Sequence, residues 1–144
     1  MTSRRLLLPA TALLVIAAAP PPSVGTLTIE VQNVRASKGR VHVDVCPQAR
    51  FLKDGCPLTA SAVARKGVTT VVVHDVPAGR YAVQAYLDEN SNDKMDFGMF
   101  GLPKEGFGFS RDPKPTMHAP KFEEAAFDAT RAAQAMTLRL RYVL

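Results

Sequence analysis

Apolar residues alternate with polar residues at every second position in five separate segments of this chain. The segments are TLTIEVQNV, RVHVDVC, VTTVVVHDV, GRYAVQAYLD and TLRLRYV, which begin at Thr26, Arg40, Val68, Gly79 and Thr137. A period of two places the apolar side chains on one face of a strand, whereas a helix needs a period near 3.6. β-branched residues are dense in the first four segments, as half-buried pleated surfaces prefer. The alternation therefore predicts an all-β protein.

Turn residues divide these segments into short strands. Pro77-Ala78-Gly79 forms a turn that feeds the strand beginning near Tyr81, and weaker strands are predicted over 60–64 and near Phe127. About seven short strands predict an antiparallel β-sandwich, immunoglobulin-like or transthyretin-like. The one region with helical character, 121–134, is predicted to form at most a short helical turn, because its two Phe residues are poorly spaced for one helical face.

The N-terminus has the pattern of a secretory leader. Arg4 and Arg5 precede the apolar run LLLPATALLVIAAA, and small residues follow it. The run is too short to span a membrane comfortably. Cleavage after the alanine run and cleavage after Gly25 both remain open, and an uncleaved anchor is the alternative. We therefore predict a leader over 1–25, a single domain over 26–144 with no membrane span, and a periplasmic or secreted location.

The charge balance argues against nucleic acid as a partner. The 144 residues include 18 Lys and Arg and 13 Asp and Glu, a formal charge of +5. Removing Arg4 and Arg5 with the leader leaves +3, and the remaining basic residues are dispersed along the chain. A nucleic-acid surface needs a basic stripe that neutralises several phosphates. The expected partner is instead an envelope protein or a small ligand.

The chain has two cysteines, Cys46 and Cys56. An oxidising compartment favours their joining, and no His lies between or beside them to complete a zinc site. We predict a disulfide that ties the end of the second strand to the next segment. Two free thiols are the alternative.

The segment between Leu87 and Phe122 shows no clean alternation. It holds five of the seven Phe residues and four of the nine Gly residues. Long loops of this kind in compact domains are usually functional or disordered. The Phe rings are expected either to plug one end of the sandwich or to line a groove. The residues that we assign to a ligand site are Phe100, Pro103, Glu105, Phe107 and Phe109.

The same segment opens with DENSNDKMD, which spaces oxygen-bearing side chains as a calcium loop does. Asp88, Asn90, Asn92 and Asp96 stand at loop positions 1, 3, 5 and 9, and Lys94 stands at position 7, which supplies a backbone carbonyl. Position 6 is Asp93 where Gly is expected, and position 12 is Met99, so the bidentate Glu is missing. The pattern predicts a weak calcium site, and a solvated Asn- and Asp-rich turn is the alternative.

Three sequence fragments carry a family resemblance: VPAGRYAV, then DENSNDKMD followed by GLPKEGFGFS, then FEEAAF. Over residues 27–143 the chain resembles a family of exported bacterial proteins known as domain of unknown function, family twenty-one forty-one. The resemblance implies an exported single β domain and assigns no activity. The positions that it marks are Asp88, Asn90, Asn92, Asp96, Pro103, Glu105, Gly106, Gly108 and Ser110. The cysteine pair is not a mark of the family.

Catalytic patterns are weak in this sequence. Ser110 follows a glycine-rich run, but FGFS is not the G-x-S-x-G elbow of hydrolases. We therefore expect an exported non-catalytic module, binding or envelope-structural. Two alternatives stay open. One is a periplasmic enzyme using carboxylates of the 88–124 region, of which Glu105, Glu123 and Glu124 are candidates. The other is a copper-handling protein using Met95, Met99, Met117 and His118.

Overall fold

The computed structural model describes residues 23–143, and its regular structure is almost entirely β. The eight strands are β1 (Val24–Val34), β2 (Arg40–Cys46), β3 (Leu58–Val63), β4 (Gly67–Pro77), β5 (Gly79–Asp88), β6 (Phe107–Phe109), β7 (Ala126–Ala129) and β8 (Ala133–Arg139). One helical turn, α1 (Phe122–Ala125), precedes β7, and a 3-10 helix covers Met99–Gly101. The weaker strands predicted over 60–64 and near Phe127 are present as β3 and β7.

The strands form two sheets, as a β-sandwich requires. One sheet has the order β4-β1-β8, and the other has the order β3-β2-β5-β6, with β7 pairing β5 beside β6. The β1–β8 pair is parallel, with Thr26 opposite Ala133 and Gln32 opposite Arg139, whereas the other pairs are antiparallel. The predicted sandwich is confirmed, and the parallel pair is the departure from a fully antiparallel arrangement.

The alternating apolar residues meet between the sheets. Leu27, Ile29 and Val31 of β1 are at most 2% exposed, and Val41 and Val43 of β2 are fully buried. Complete burial of each such side chain stabilises the fold by about 1.5–3 kcal/mol. In β2 and β5 the residues between the buried ones point the other way, onto the outer face of the five-stranded sheet. That outer face carries the features described below.

A second, smaller apolar cluster covers part of this outer face. Cys46 and Cys56 form the predicted disulfide, with Cα atoms 5.0 Å apart. The loop that it closes places Phe51 edge-on against Phe109 and Phe122, at 5.8 and 5.9 Å between ring centroids. The expectation that the Phe rings plug an end of the sandwich is therefore wrong. The rings of this cluster pack on the outside of a sheet: β6 extends that sheet and carries Phe109, while the disulfide loop supplies Phe51 and α1 supplies Phe122.

The segment predicted to be irregular contains β6, which pairs with Gln84–Tyr86 of β5. Gly108 lets this strand lie close to the end of β8, because a Cβ there would lie 2.5 Å from the carbonyl oxygen of Arg139. At the other end of the chain, Val24 and Gly25 already belong to β1, so the folded part begins before the predicted boundary at residue 26. The rest of the predicted leader, residues 1–22, lies outside the described residues. Between residues 23 and 143, no helix is long and apolar enough to cross a membrane.

Candidate cation site

The predicted calcium loop begins where β5 ends. Asp88, the last residue of β5, is fully buried and stands opposite Arg40, the first residue of β2. Gly39, the residue before Arg40, has φ +75°, and a Cβ on it would overlap the carbonyl oxygen of Asp88. Glycine is therefore required at this point, and the turn into β2 holds the end of β5 in place.

The Asp88 carboxylate folds the loop back on itself. One oxygen accepts the backbone amide of Asn92 at 3.1 Å, and the other accepts the backbone amide of Asp93 at 2.8 Å. Asp93 has φ +58°, the left-handed conformation that Gly adopts at position 6 of a calcium loop. Asp tolerates this conformation better than most residues. The departure at position 6 therefore leaves the backbone of the loop intact.

Three of the four predicted oxygen-bearing side chains, those of Asn90, Asn92 and Asp96, converge in the structure. The side-chain amides of Asn90 and Asn92 donate to the Asp96 carboxylate, at 2.7 Å and 3.0 Å. Their side-chain oxygens accept the backbone amides of Asn92 and Lys94, two residues further along in each case. Positions 3, 5 and 9 of the loop therefore meet at one point. The side chain of Lys94 takes no part in this convergence and is exposed.

The side-chain NH₂ groups of Asn90 and Asn92 occupy the position beside the Asp96 carboxylate at which a cation would bind. A half-turn of an Asn side chain about its terminal torsion exchanges the nitrogen with the oxygen. The same backbone could therefore present either two NH₂ groups to Asp96 or two oxygens to a shared ion. The exchange gives up the hydrogen bonds of the present arrangement, so it predicts weak binding of a hard cation that prefers oxygen ligands.

Glu105 supports the loop from beneath. It is 5% exposed, and its two carboxylate oxygens accept the backbone amides of Glu89 and Asp96, each at 3.1 Å. Burial raises the pKa of the Glu105 carboxyl, and the nearby charges of Asp96 and Asp88 raise it further. Glu105, assigned above to the ligand site, is instead a buried brace of the acidic loop.

A groove of about 1250 Å³ lies beside the loop on the outer face of the five-stranded sheet. Three of the residues assigned to a ligand site, Pro103, Phe107 and Phe109, line this groove. Phe100 does not line it: this side chain is 92% exposed at the tip of the 3-10 helix. The tip also exposes Phe97, Met99 and Leu102, so its surface is more apolar than that of a typical loop.

Of the carboxylates in the catalytic alternative, Asp93 and Asp112 line this groove, whereas the candidates Glu105, Glu123 and Glu124 do not. Glu123 is paired with Arg80, and Glu124 accepts the amide of Lys121 at the start of α1. The Ser110 hydroxyl is buried and bonded to the backbone of Val83 and Ala125. Ser110 does not line the groove either, within the described part of the chain.

Among residues 23–143, the Met and His residues of the copper alternative form no enclosed site. Met117 is 98% exposed and Met99 is 78% exposed. Met95, Met117 and His118 line the groove, and Met99 does not. Because these thioether groups are so exposed, the structure adds no support to copper binding, which stays a prediction from the sequence.

His42 is the site residue that sequence reasoning missed. The alternation of β2 places it on the outward-facing side of the strand, yet only 18% of its side chain is exposed and its imidazole lies beside Asp88 and Asp93. The placement follows from the register between β2 and β5, in which His42 is opposite Tyr86. Alternation alone does not reveal which loop covers an outward-facing residue.

Comparison with protein families finds a match over most of the chain. A family described as "Uncharacterized protein conserved in bacteria (DUF2141)" matches residues 29–137. The chain belongs to this family. The matched DUF2141 region runs from the middle of β1 into β8, so it includes the acidic loop, Glu105 and the segment that forms β6. No curated protein and no solved structure matches the chain.

Proposed function

We propose that this DUF2141 chain is an exported, non-catalytic binding module whose acidic loop binds calcium and thereby holds one wall of the adjoining groove. The ion would be held by Asp88, Asn90, Asn92 and Asp96 and by the backbone carbonyl of Lys94. The groove would take a small apolar ligand or a segment of an envelope protein. A leader-type N-terminus and a disulfide together support export.

One observation carries the calcium proposal: alternate side chains of the 88–96 loop converge on the Asp96 carboxylate, over a backbone folded by buried Asp88. The loop carries Asp88, Glu89, Asp93 and Asp96 against Lys94, a formal charge of −3. A divalent ion would relieve the repulsion between these carboxylates, as calcium does in oxygen-lined loops.

The loop is tied directly to the wall of the groove. The backbone carbonyl of Asp96 accepts a hydrogen bond from the backbone amide of Lys104 at 2.9 Å, and the Glu105 carboxylate accepts one from the backbone amide of Asp96. Phe97 and Pro103 form a bridge between the two segments. An ion that fixes Asp96 would therefore also fix Pro103 and, through the following residues, the Phe107 wall.

Calcium-dependent melting tests this proposal. A site without the bidentate Glu should have a Kd on the order of 10⁻⁴ to 10⁻³ M, as extracellular modules do. Calcium at about ten times the Kd then adds roughly 1.4 kcal/mol of stability, which raises the Tm by a few degrees relative to the protein in chelator. Magnesium, which gives up its water shell reluctantly, should raise the Tm much less.

Two matched variants locate the effect. Asp96→Asn removes one charge from the loop and should abolish most of the calcium increment. Asp75→Asn removes one charge from β4 and should preserve it, since Asn tolerates the left-handed φ of +56° found at this position. Identical melting curves in calcium and in chelator, for the wild-type chain, would refute the calcium proposal.

The groove is tested separately with an apolar fluorescent probe, 1-anilinonaphthalene-8-sulfonate. Phe107→Ala removes a ring from the groove and should weaken probe binding, whereas Phe100→Ala removes an exposed ring outside it and should leave binding unchanged. Calcium should strengthen binding to the wild-type chain. Equal losses in both variants would show that the probe reports exposed apolar surface rather than the groove.

A further inference from the structure

The imidazole of His42 has a buried nitrogen for which the described residues supply no hydrogen-bond partner. Its ring stacks on Tyr86, with centroids 5.1 Å apart and planes inclined by 10°. The Nε2 atom is buried beneath the acidic loop and makes no hydrogen bond within the described part of the chain. A buried polar atom left unsatisfied costs about 1–3 kcal/mol, so each such atom in a native structure calls for an explanation.

Two carboxylate oxygens lie in front of this nitrogen. Asp93 Oδ1 is 3.3 Å from Nε2 and Asp88 Oδ2 is 3.5 Å from it. The three ligand atoms lie within 4.8 Å of one another. In a tetrahedral zinc site with bonds of about 2.0–2.2 Å, neighbouring ligand atoms are about 3.4 Å apart. The distances from Nε2 to the two carboxylates therefore match those between ligands of one ion.

The surroundings hold these ligands in place. Stacking on Tyr86 fixes the plane of the imidazole, and the backbone amides of Asn92 and Asp93 orient the Asp88 carboxylate. Support of this kind sets ligand orientation and is worth about 10–100-fold in affinity at metal sites. Imidazole nitrogen with carboxylate oxygen suits zinc and related transition metals, whereas calcium takes oxygen ligands alone.

We propose that His42 Nε2, Asp88 Oδ2 and Asp93 Oδ1 form a second metal site, which binds zinc or a similar divalent transition metal, with water completing the coordination. The site lies on the β2 side of Asp88, whereas the convergence on Asp96 uses other side chains of the loop. It goes beyond the proposed function, because its ligand set excludes Asn90, Asn92 and Asp96. Both carboxylates belong to the 88–96 loop, but Asp88 is the one ligand that the two proposed sites share.

Titration of the chelator-treated full chain with cobalt(II) chloride tests the proposal, since cobalt reports an imidazole–carboxylate site through its visible absorption. Zinc chloride should displace the cobalt. His42→Phe keeps a ring to stack on Tyr86 but removes the nitrogen, and should lower the affinity at least about tenfold. The matched control is His74→Phe, which removes an exposed imidazole from β4 and should leave the affinity unchanged.

A second variant keeps the test decisive if His42→Phe does not fold. Asp93→Asn removes a ligand oxygen from an exposed residue and keeps a side chain that tolerates the left-handed φ of +58°. It should also lose at least about tenfold in cobalt and zinc affinity. No binding by the wild-type chain, or unchanged affinity in the folded variants, would overturn the proposal.

The outcome separates this site from the calcium loop. His42→Phe should lose zinc binding and keep the calcium-dependent rise in Tm, because no calcium ligand is removed. Asp96→Asn should lose the calcium effect and keep zinc binding. A chain that binds zinc through His42 but does not respond to calcium would support the second site and refute the proposed calcium function.

Discussion

Ser110 is fully buried, and its hydroxyl joins two parts of the fold. The hydroxyl oxygen accepts the backbone amide of Val83 at 2.9 Å, and the hydroxyl donates to the carbonyl of Ala125. The backbone amide of Ser110 in turn donates to Val83 at 3.0 Å. One side chain therefore links the end of the β6 segment to the middle of β5 and to the end of α1.

Ser110→Ala should destabilise the protein without changing its shape. The methyl group fits where the hydroxyl was, but the Val83 amide and the Ala125 carbonyl lose a partner in a place that water does not reach. Each buried group left unsatisfied costs about 1–3 kcal/mol, so we expect a loss of about 2–4 kcal/mol. For a domain of this size the Tm should fall by roughly 8–16 °C.

Urea unfolding followed by circular dichroism measures this loss. The matched control is Ser61→Ala on β3, where the hydroxyl accepts a hydrogen bond from the Arg40 side chain at a partly exposed position. Water can replace that contact, so the control should cost less than about 1 kcal/mol. If Ser110→Ala costs no more than Ser61→Ala, the assignment of Ser110 as a buried structural link is wrong.

Three further predictions concern the disulfide, Gly39 and Glu105. Reduction of the Cys46–Cys56 disulfide should lower the free energy of unfolding by about 3 kcal/mol, the value for a loop of this length; equal urea midpoints with and without reductant would contradict it. Gly39→Ala should destabilise the protein and impair calcium binding, because its Cβ overlaps the strand end. Gly101→Ala, at a similar positive φ but with no atom within 4 Å, should show only the smaller cost of backbone strain by the same assays. Burial raises the pKa of Glu105 in the folded protein, so the folded state holds this proton more tightly than the unfolded state does. The free energy of unfolding in chelator should therefore decline as pH rises from the usual pKa of Glu through the raised pKa. Glu105→Gln should flatten this decline. If urea unfolding gives the same pH dependence of stability for the variant as for the wild-type chain, Glu105 is not the group responsible for it.

The strands could be predicted from sequence because their alternation is regular. Leu27, Ile29 and Val31 repeat at the spacing of two that one buried face requires, and the structure places all three in the core. The last strand was less well predicted: β8 covers 133–139, earlier than the alternating segment from Thr137. Its parallel pairing with β1 depends on how the chain returns across the sandwich, and alternation carries no signal for that.

The acidic loop was predictable for a different reason. Oxygen-bearing residues at alternate positions place their side chains on one side of a tight turn whatever its surroundings are. The partners supplied by distant elements could not be predicted, since they depend on register. His42 reaches Asp88 only because β2 and β5 pair as they do, and Glu105 reaches the loop only because the chain doubles back before β6.

The most direct test of the account is a calcium titration of the ¹⁵N-labelled protein, followed by amide chemical shifts. The account predicts shifts that saturate at millimolar calcium and are concentrated at residues 88–96 and at Glu105, which braces the loop. The amide of Asp75 on β4 should not respond. Absence of shifts beyond those caused by a sodium chloride control of equal ionic strength, or shifts centred elsewhere, would contradict calcium binding by this loop.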